Sequence, residues 1–388
     1  MPKRKDPVVQ FAGVPVRLLV SDDLGIVKGV QAPGVHRFED AKVVNFWGEP
    51  DRAQNAAGCL AVSDTTPQAQ GPGLAGSFLA AVGRTAGQIS LLDGQTGQQQ
   101  FLLNSHSSNS SSMDGSEESV VGLRFLTTQA CGQPQLLSCT DHGSVHIHAP
   151  ALGSEGEIWE PTAQWTVPAN VSSMEVSKDE SCMAVGCQGT ELNIWDVKTQ
   201  QQTFLAKSAK PNRIGLVDPP WCSAVAFLPG SDNSKVLVGT GKSKLRLYDI
   251  KHGRRPVLDL TFGQSRITSL AAEPDGNRVW VANAAGQIEV LDLQAGQMAG
   301  AAKGATGSVR CLALHPTEPL LASVGLDRFL RVHSTVNRKQ LCAVYLKQKL
   351  NGVTFCPALY QQEAAPEPED EVPAAADNKR DKRKKHSQ

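Results

Sequence analysis

Apolar residues along this chain come in short runs, and the runs come in pairs. The stretch "LLASVGLDRFLRVHS" (320–334) shows the unit. Leu320 to Val324 form one run, the tetrad Gly325-Leu326-Asp327-Arg328 interrupts it, and Phe329 to His333 form a second. In the second run Leu330 and Val332 fall on one face, with Phe329, Arg331 and His333 on the other. Two such runs joined by a turn with Gly or Asp predict a β-hairpin. The Asp327 carboxylate is suited to hold the turn by accepting nearby backbone N–H groups.

The same hairpin recurs at 278–293, 235–250, 182–197, 135–149, 78–93 and 16–30, seven in all. An apolar strand, often ending in Pro, precedes most of them: 309–316, 267–274, 222–229, 120–127 and 42–50. A further strand follows at 341–347, 256–262 and 202–208. Four strands per unit, at a period of roughly 40–60 residues, predict a β-propeller. The ends of the pattern are complementary. The first hairpin lacks a leading strand, and "LNGVTFCP" (350–357) is a leading strand without a hairpin. Pairing 350–357 with 16–30 would close the ring. The expected fold is therefore all-β: a seven-bladed propeller over residues 10–357, followed by a disordered tail at 358–388.

The repeats resemble WD repeats. "LNIWDV" (192–197) carries the Trp-Asp pair, while "LRLYDI", "IEVLDL" and "ISLLDG" keep only the Asp. The Gly-His dipeptide of that family is absent. Trp195, Asp196 and Asp327 read as structural residues that pack strands or pin turns.

A narrower resemblance runs through "RRPVLDLTFG" (254–263), "GSVRCLALHPTEPLLASVGLDRFLRVH" (307–333) and "VYLKQKLNG" (344–352). These segments, with the long loop "AKSAKPNRIGLVDPPW" (206–221) and "GIVKGV" (25–30), are similar to one branch of WD-repeat proteins. That branch is the nucleolar assembly factors of the large ribosomal subunit, called Nsa-one in yeast and WD-repeat protein seventy-four in animals. The match is best over residues 190–352. It implies a non-enzymatic scaffold in large (60S) subunit assembly and pre-rRNA processing, in the nucleus and nucleolus. It also implies other assembly factors as partners, and release by an AAA-type ATPase.

Composition narrows the alternatives. The chain has 388 residues, with 38 basic and 38 acidic side chains, so net charge names no partner. No apolar stretch reaches the ~18 residues a membrane span needs. The N-terminus "MPKRKDPVVQFAG" is basic but lacks the apolar core of a signal peptide. Nine cysteines include no C-x-x-C pair, which suits reduced, buried thiols. No Walker-type phosphate loop and no G-x-S-x-G elbow occurs. "CTDHGSVHIH" (139–148) gathers Cys139, His142, His146 and His148, a zinc-like set. In a hairpin, however, His146 and His148 share one strand face while His142 sits in the turn, so the ligands need not converge. No catalytic residue, metal or cofactor is expected.

Charge position says more than net charge. Loops joining second to third strands share one end of a propeller with the loops between blades. On that end the pattern places Arg84, Lys242, Lys244, Arg266, Lys303, Arg328, Lys347 and Lys349, and the 206–220 loop adds Lys207, Lys210 and Arg213. Asp22, Asp23, Glu39, Asp40, Glu117, Glu118 and Asp141 would form an acidic sector elsewhere on it. The basic sector, with Lys207, Lys210, Arg213, Lys242, Lys244, Arg266 and Arg328 as its candidate contacts, suits RNA phosphates or an acidic protein surface. It also fits an ordinary solvated rim.

Outside the ring, the Ser-rich 104–119 and the Gly-, Ala- and Gln-rich 51–77 read as disordered insertions between blades. The tail is acidic and Pro-rich, then basic at Lys379, Arg380, Lys382, Arg383, Lys384 and Lys385, a pattern that suits nuclear import. A second function fits the same fold: substrate receptor of a ubiquitin ligase. Such receptors carry Trp-Asp-x-Arg after the third strand, and "WDVK" has Lys198 in the Arg place. Lys lacks the planar fork of Arg, which weakens that reading.

Overall fold

The computed structural model describes residues 16–34, 37–50, 57–63, 78–85, 87–105, 118–127, 134–153, 156–209 and 218–356. The described chain is a seven-bladed β-propeller in which every blade is a four-stranded antiparallel sheet. Written from the axis outward, blade 1 is Leu350–Phe355, Val16–Asp22, Val27–Ala32 and Lys42–Trp47. Blade 2 is Ala57–Val62, Leu79–Arg84, Gln88–Asp93 and Gln99–Asn104. Blade 3 is Val120–Leu126, Gln135–Thr140, Ser144–Gly153 and Gly156–Thr166. Blade 4 is Val171–Val176, Cys182–Cys187, Asn193–Asp196 and Gln202–Leu205. Blade 5 is Cys222–Phe227, Lys235–Thr240, Lys244–Asp249 and Leu258–Thr261. Blade 6 is Ile267–Ala272, Arg278–Asn283, Ile288–Asp292 and Gln297–Ala302. Blade 7 is Val309–Leu314, Leu320–Gly325, Phe329–Ser334 and Gln340–Tyr345.

The leading strands touch one another in ring order, blade 7 back to blade 1 and on to blade 2. Blade 1 joins the two ends of the chain: Leu350–Phe355 pairs antiparallel with Val16–Asp22, in the register Leu18↔Phe355, Val20↔Val353 and Ser21↔Gly352.

Two expectations are corrected. The strand at 42–50 does not lead blade 2. It is the outer strand of blade 1, paired with Val27–Ala32, and its alternating exposed and half-buried residues fit an edge. The strand that leads blade 2, Ala57–Val62, lies inside the stretch read as an insertion. Its Gly- and Ala-rich sequence carries too little apolar weight to stand out, yet Ala61 is buried. The rest of 51–77 and most of 104–119 lie outside the described residues.

The core lies between blades. Leu320, Ala322 and Val324 of blade 7 pack with Leu18, Val20, Leu350 and Val353 of blade 1 in one cluster. Cys222, Val225 and Phe227 of blade 5 pack on Ala184 and Ile194 of blade 4 in another. Such close stacking leaves no room for a side chain where second strands meet the next blade. A Cβ on Gly186 would lie 2.7 Å from the Cys222 carbonyl oxygen.

The degenerate Asp of the repeat has one recurring task. At the end of the third strand of blades 2, 4, 5 and 6 it caps the turn to the fourth. Asp93 Oδ1 accepts the Gln95 and Thr96 N–H groups at 2.8 Å, and Asp196 Oδ1 accepts Thr199 N–H at 2.7 Å. Asp249 does the same with Lys251 at 3.0 Å, and Asp292 with Gln294 at 2.9 Å. Side-chain acceptors of this kind satisfy turn N–H groups that no strand pairs. Asp327 pins the turn between Phe329 and Leu320's strand by accepting Phe329 N–H at 3.3 Å, and it also ion-pairs with the buried Arg331.

Candidate interaction site at the channel mouth

Because strands alternate in direction, every leading strand starts at the same end of the ring, the end that carries the second-to-third-strand turns and the interblade connections. The structure distributes the predicted basic residues unevenly over it. Lys242 and Arg328 are exposed at turn tips of blades 5 and 7, and Arg328 sits at φ 70° in the left-handed region. Lys244 opens a strand of blade 5 and is half-buried. Lys303, Lys347 and Lys349 are exposed on interblade connections. Lys207 lies at the perimeter, where its N–H donates to the Arg254 carbonyl of blade 5 at 2.7 Å and Arg254 Nε donates to the Leu205 carbonyl. Lys210 and Arg213 fall outside the described residues, as do Lys379, Arg380, Lys382, Arg383, Lys384 and Lys385.

Several placements change. Arg84 is buried, and its Nε donates to Ser90 Oγ at 3.0 Å, so it is no free rim charge. Burial also holds its pKa below the usual guanidinium value. Asp22 is buried and ion-paired to the equally buried Lys28 at 2.8 Å. Glu39 and Asp40 lie on a one-turn 3-10 segment between third and fourth strands, at the opposite end of the ring. Glu117 falls outside the described residues. The acidic side of this end therefore reduces to Asp23, Glu118 and Asp141 in blades 1 to 3, joined by Asp218 on the connection into blade 5.

A feature of the strands themselves builds the mouth of the central channel. In every leading strand the ladder to the second strand slips by one residue near its start, as between Val171 and Ser173 or Val309 and Cys311. A bulge leaves one residue unpaired and re-aims its side chain. The skipped residues include Val121, Ser172, Ser223, Thr268, Arg310 and Asn351, and all six line a cavity of about 590 Å³ on the axis. Arg266 joins them from the connection into blade 6, its guanidinium carbon 5.7 Å from the ring centroid of Trp221. Trp221 is fixed by an isolated bridge to Gln188. No carboxylate lines this cavity among the described residues. The other end of the channel is mixed: Arg124 and Lys178 stand there with Glu175, Asp179 and Asp232. Burial pushes the Glu175 carboxyl up to about 8, against the pull of Arg124.

Sequence reasoning found Arg266 and missed Arg310 and Trp221. Arg310 sits in an apolar run, "VRCLAL", where an alternating strand would give it an ordinary sheet face; the slip in register carries no sequence mark.

Another charged centre lies between blades 4 and 5. Arg246, buried in blade 5, faces Glu191 at 3.6 Å, Asp259 at 3.4 Å and Asp218 at 3.6 Å, and Tyr248 donates to Glu191 at 3.2 Å. The cluster fixes the end of the 206–221 connection through Asp218.

The histidine pair is structural in its setting. His146 and His148 are both buried, with ring centroids 5.9 Å apart. Burial pushes the His148 imidazole down to about 4, and His146 beside it adds to the shift. The unfolded chain takes up that proton near the ordinary value of about 6.5. Stability from a neutral His148 is thus fully present above about pH 6.5 and lost as pH falls toward 4. Melting temperature is expected to drop over that window, and His148→Gln to flatten the drop; an unchanged slope in the variant would assign the acid sensitivity elsewhere.

Comparison with known proteins agrees with the WD-repeat reading. The family model for the WD domain, G-beta repeat, matches residues 298–334. That span takes in the outer strand of blade 6 and the first three strands of blade 7, so the sequence repeat is offset from the blade. The chain is 37% identical over 221 residues to WD repeat-containing protein 74 of Homo sapiens, covering 56% of each chain. It is 35% identical over 220 residues to the Mus musculus protein of that name, again 56% of each. Ribosome biogenesis protein nsa1 of Schizosaccharomyces pombe is 27% identical over 175 residues, 40% of this chain and 43% of that one. The chain spans just over half the length of the first of these relatives.

Proposed function

From the similarity to the fungal proteins named for ribosome biogenesis, we propose that this propeller works in that process as a non-enzymatic scaffold. In this reading it belongs to the precursor of the large (60S) subunit and supports pre-rRNA processing by joining assembly factors. An AAA-type ATPase then releases it. The basic residues on blades 5 to 7 supply the contacts, with an acidic protein surface or precursor rRNA as the partner. The ubiquitin-ligase reading is the weaker one, because Lys198 stands where those receptors carry Arg.

The double variant Lys242→Glu, Arg328→Glu tests the rim. Both side chains are exposed at turns, so the melting temperature should stay within a degree or two, surface changes being worth about ±0.5 kcal/mol. Recovery of pre-ribosomal particles with the tagged variant should fall. If RNA phosphates are the contacts, direct RNA affinity should fall too, and the salt slope by about one unit per lost contact. A folded variant that enters particles as the parent does would reduce both residues to solvated charges.

The tail supports a nuclear and nucleolar location. Deleting 361–388 is expected to lower nuclear accumulation and leave melting unchanged. Normal accumulation of the deleted protein would mean entry by another route, such as with a partner.

A further inference from the structure

We propose that the outer rim of blade 7 is a stacking platform for an unpaired RNA nucleotide, with Phe329 and Tyr345 as the ring surface and Arg328 and Lys347 as the phosphate contacts. The inference chooses RNA from the two partner chemistries above, and it rests on that reading only for the particle in which the nucleotide is met.

Three observations carry it. First, the rings are exposed and held. Tyr345 is 52% exposed and pairs across the ladder with Phe329, their ring centroids 5.2 Å apart at 49°. The buried Arg331 places its guanidinium carbon 4.9 Å from the centre of the Phe329 ring, and Asp327 holds that guanidinium by an ion pair. Rings backed in this way keep their planes, and an exposed aromatic face stacks a base whatever its identity. Second, two cations flank the rings at fixed places. Arg328 and Lys347 are both exposed, at φ 70° and 68°, and the Leu346 N–H donates to the Arg328 carbonyl at 2.9 Å. Left-handed backbone is uncommon away from glycine and persists where the surrounding structure holds it. Neither side chain has an ion-pair partner among the described residues. Third, the local charge is one-sided. From 303 to 349 the chain carries eight Lys or Arg side chains and two carboxylates. Asp327 is engaged by Arg331, and Glu318 lies in the turn between first and second strands, at the opposite end of the ring. Lys303, exposed on the connection into blade 7, adds a cation on the strand face that carries Phe329: its carbonyl lies 2.9 Å from His333 Nε2.

The rings favour a nucleotide over an acidic protein surface. Carboxylates are satisfied by the cations and have no use for an exposed ring pair beside them. An unpaired nucleotide uses both, since its base stacks and its phosphate takes the charge-assisted bond. Duplex RNA does not fit, because its bases are already stacked on one another. The platform stands on the third and fourth strands of the blade, away from the residues that line the channel.

The experiment titrates the full chain with a fluorescent twelve-nucleotide oligouridine and with an abasic strand of the same length, at several salt concentrations. The abasic strand keeps the phosphates and lacks the bases, so the parent should bind it about tenfold more weakly. Tyr345→Ala should weaken oligouridine about tenfold, leave its salt slope unchanged and bring the two strands close to equal affinity, while Tyr345→Phe should bind as the parent does. Arg328→Gln should lower the salt slope by about 0.7, the release expected per phosphate of a single strand. Tyr345 is exposed at a strand end, so melting should be nearly unchanged in its variants. Equal binding of the two strands by the parent overturns the proposal, and that comparison needs no variant. Unchanged oligouridine affinity in Tyr345→Ala overturns it too. A decaglutamate peptide that binds more tightly than oligouridine, and independently of Tyr345, overturns it in favour of an acidic protein surface. Particle recovery keeps this separate from the scaffold reading. RNA binding indifferent to Tyr345, with particles lost in the Lys242→Glu, Arg328→Glu variant, removes the platform and leaves the scaffold. Tyr345-dependent RNA binding, with normal recovery of particles by that variant, does the reverse.

Discussion

Ending the chain after Leu346 should turn a soluble ring into an aggregating one, while ending it after Tyr360 should not. The shorter chain lacks Leu350–Phe355, the inner strand of blade 1. That strand supplies the ladder partners of Leu18, Leu19, Val20 and Ser21, and it packs between the leading strands of blades 7 and 2. Leu350, Val353 and Phe355 are all buried. Each such side chain is worth roughly 1.5–3 kcal/mol, so their loss approaches the roughly 5–15 kcal/mol of a whole domain's net stability. The remaining edge at Val16–Asp22 is largely apolar, a template for pairing with another chain. Size-exclusion chromatography and circular dichroism of the two truncated proteins check this. A monodisperse, cooperatively melting product from the shorter one would show that the ring does not depend on this closure.

Lys28→Met should be the most damaging single substitution at the same junction. Lys28 Nζ lies 2.8 Å from Asp22 Oδ2 and donates to the Leu346 carbonyl of blade 7 at 2.8 Å. The ion pair has side-chain exposures of 4% and 0%, so removing the ammonium leaves a carboxylate with no access to water. Breaking a buried pair from one side costs about 3–5 kcal/mol. Asp22 cannot simply turn away, because its Oδ1 holds the Leu24 and Ile26 N–H groups at 3.0 Å each. Asp22→Asn keeps an acceptor for those two groups and removes the charge. The double variant should therefore be more stable than Lys28→Met alone. Urea unfolding of the parent, both single variants and the double variant measures the coupling. Additive losses would place the two residues in independent roles.

Much of this protein is legible in its sequence because a propeller is a periodic object. Short apolar runs broken by Gly and Asp give strands and turns, and the complementary ends at 16–30 and 350–357 point to a closed ring before any coordinate is known. Recurrent Asp at the ends of third strands is legible too, since an Asx turn is local in sequence. The strand Ala57–Val62 is not, because its place depends on packing against neighbours rather than on its own apolar content.

What the sequence determined by itself was therefore the repeat, its strand count and the residues available at each turn. The tertiary structure decided which charges are free. Arg84 and Asp22 read as rim charges and are buried, Glu39 and Asp40 belong to the opposite end, and Arg310 leaves an apolar strand for the axis. The physical reason is that exposure in a ring is set by neighbouring blades hundreds of residues apart, and by a one-residue slip in register. Neither leaves a local signature, because the same Val-Arg-Cys run can show its Arg to a sheet face or to a channel depending on where its partner strand skips a residue.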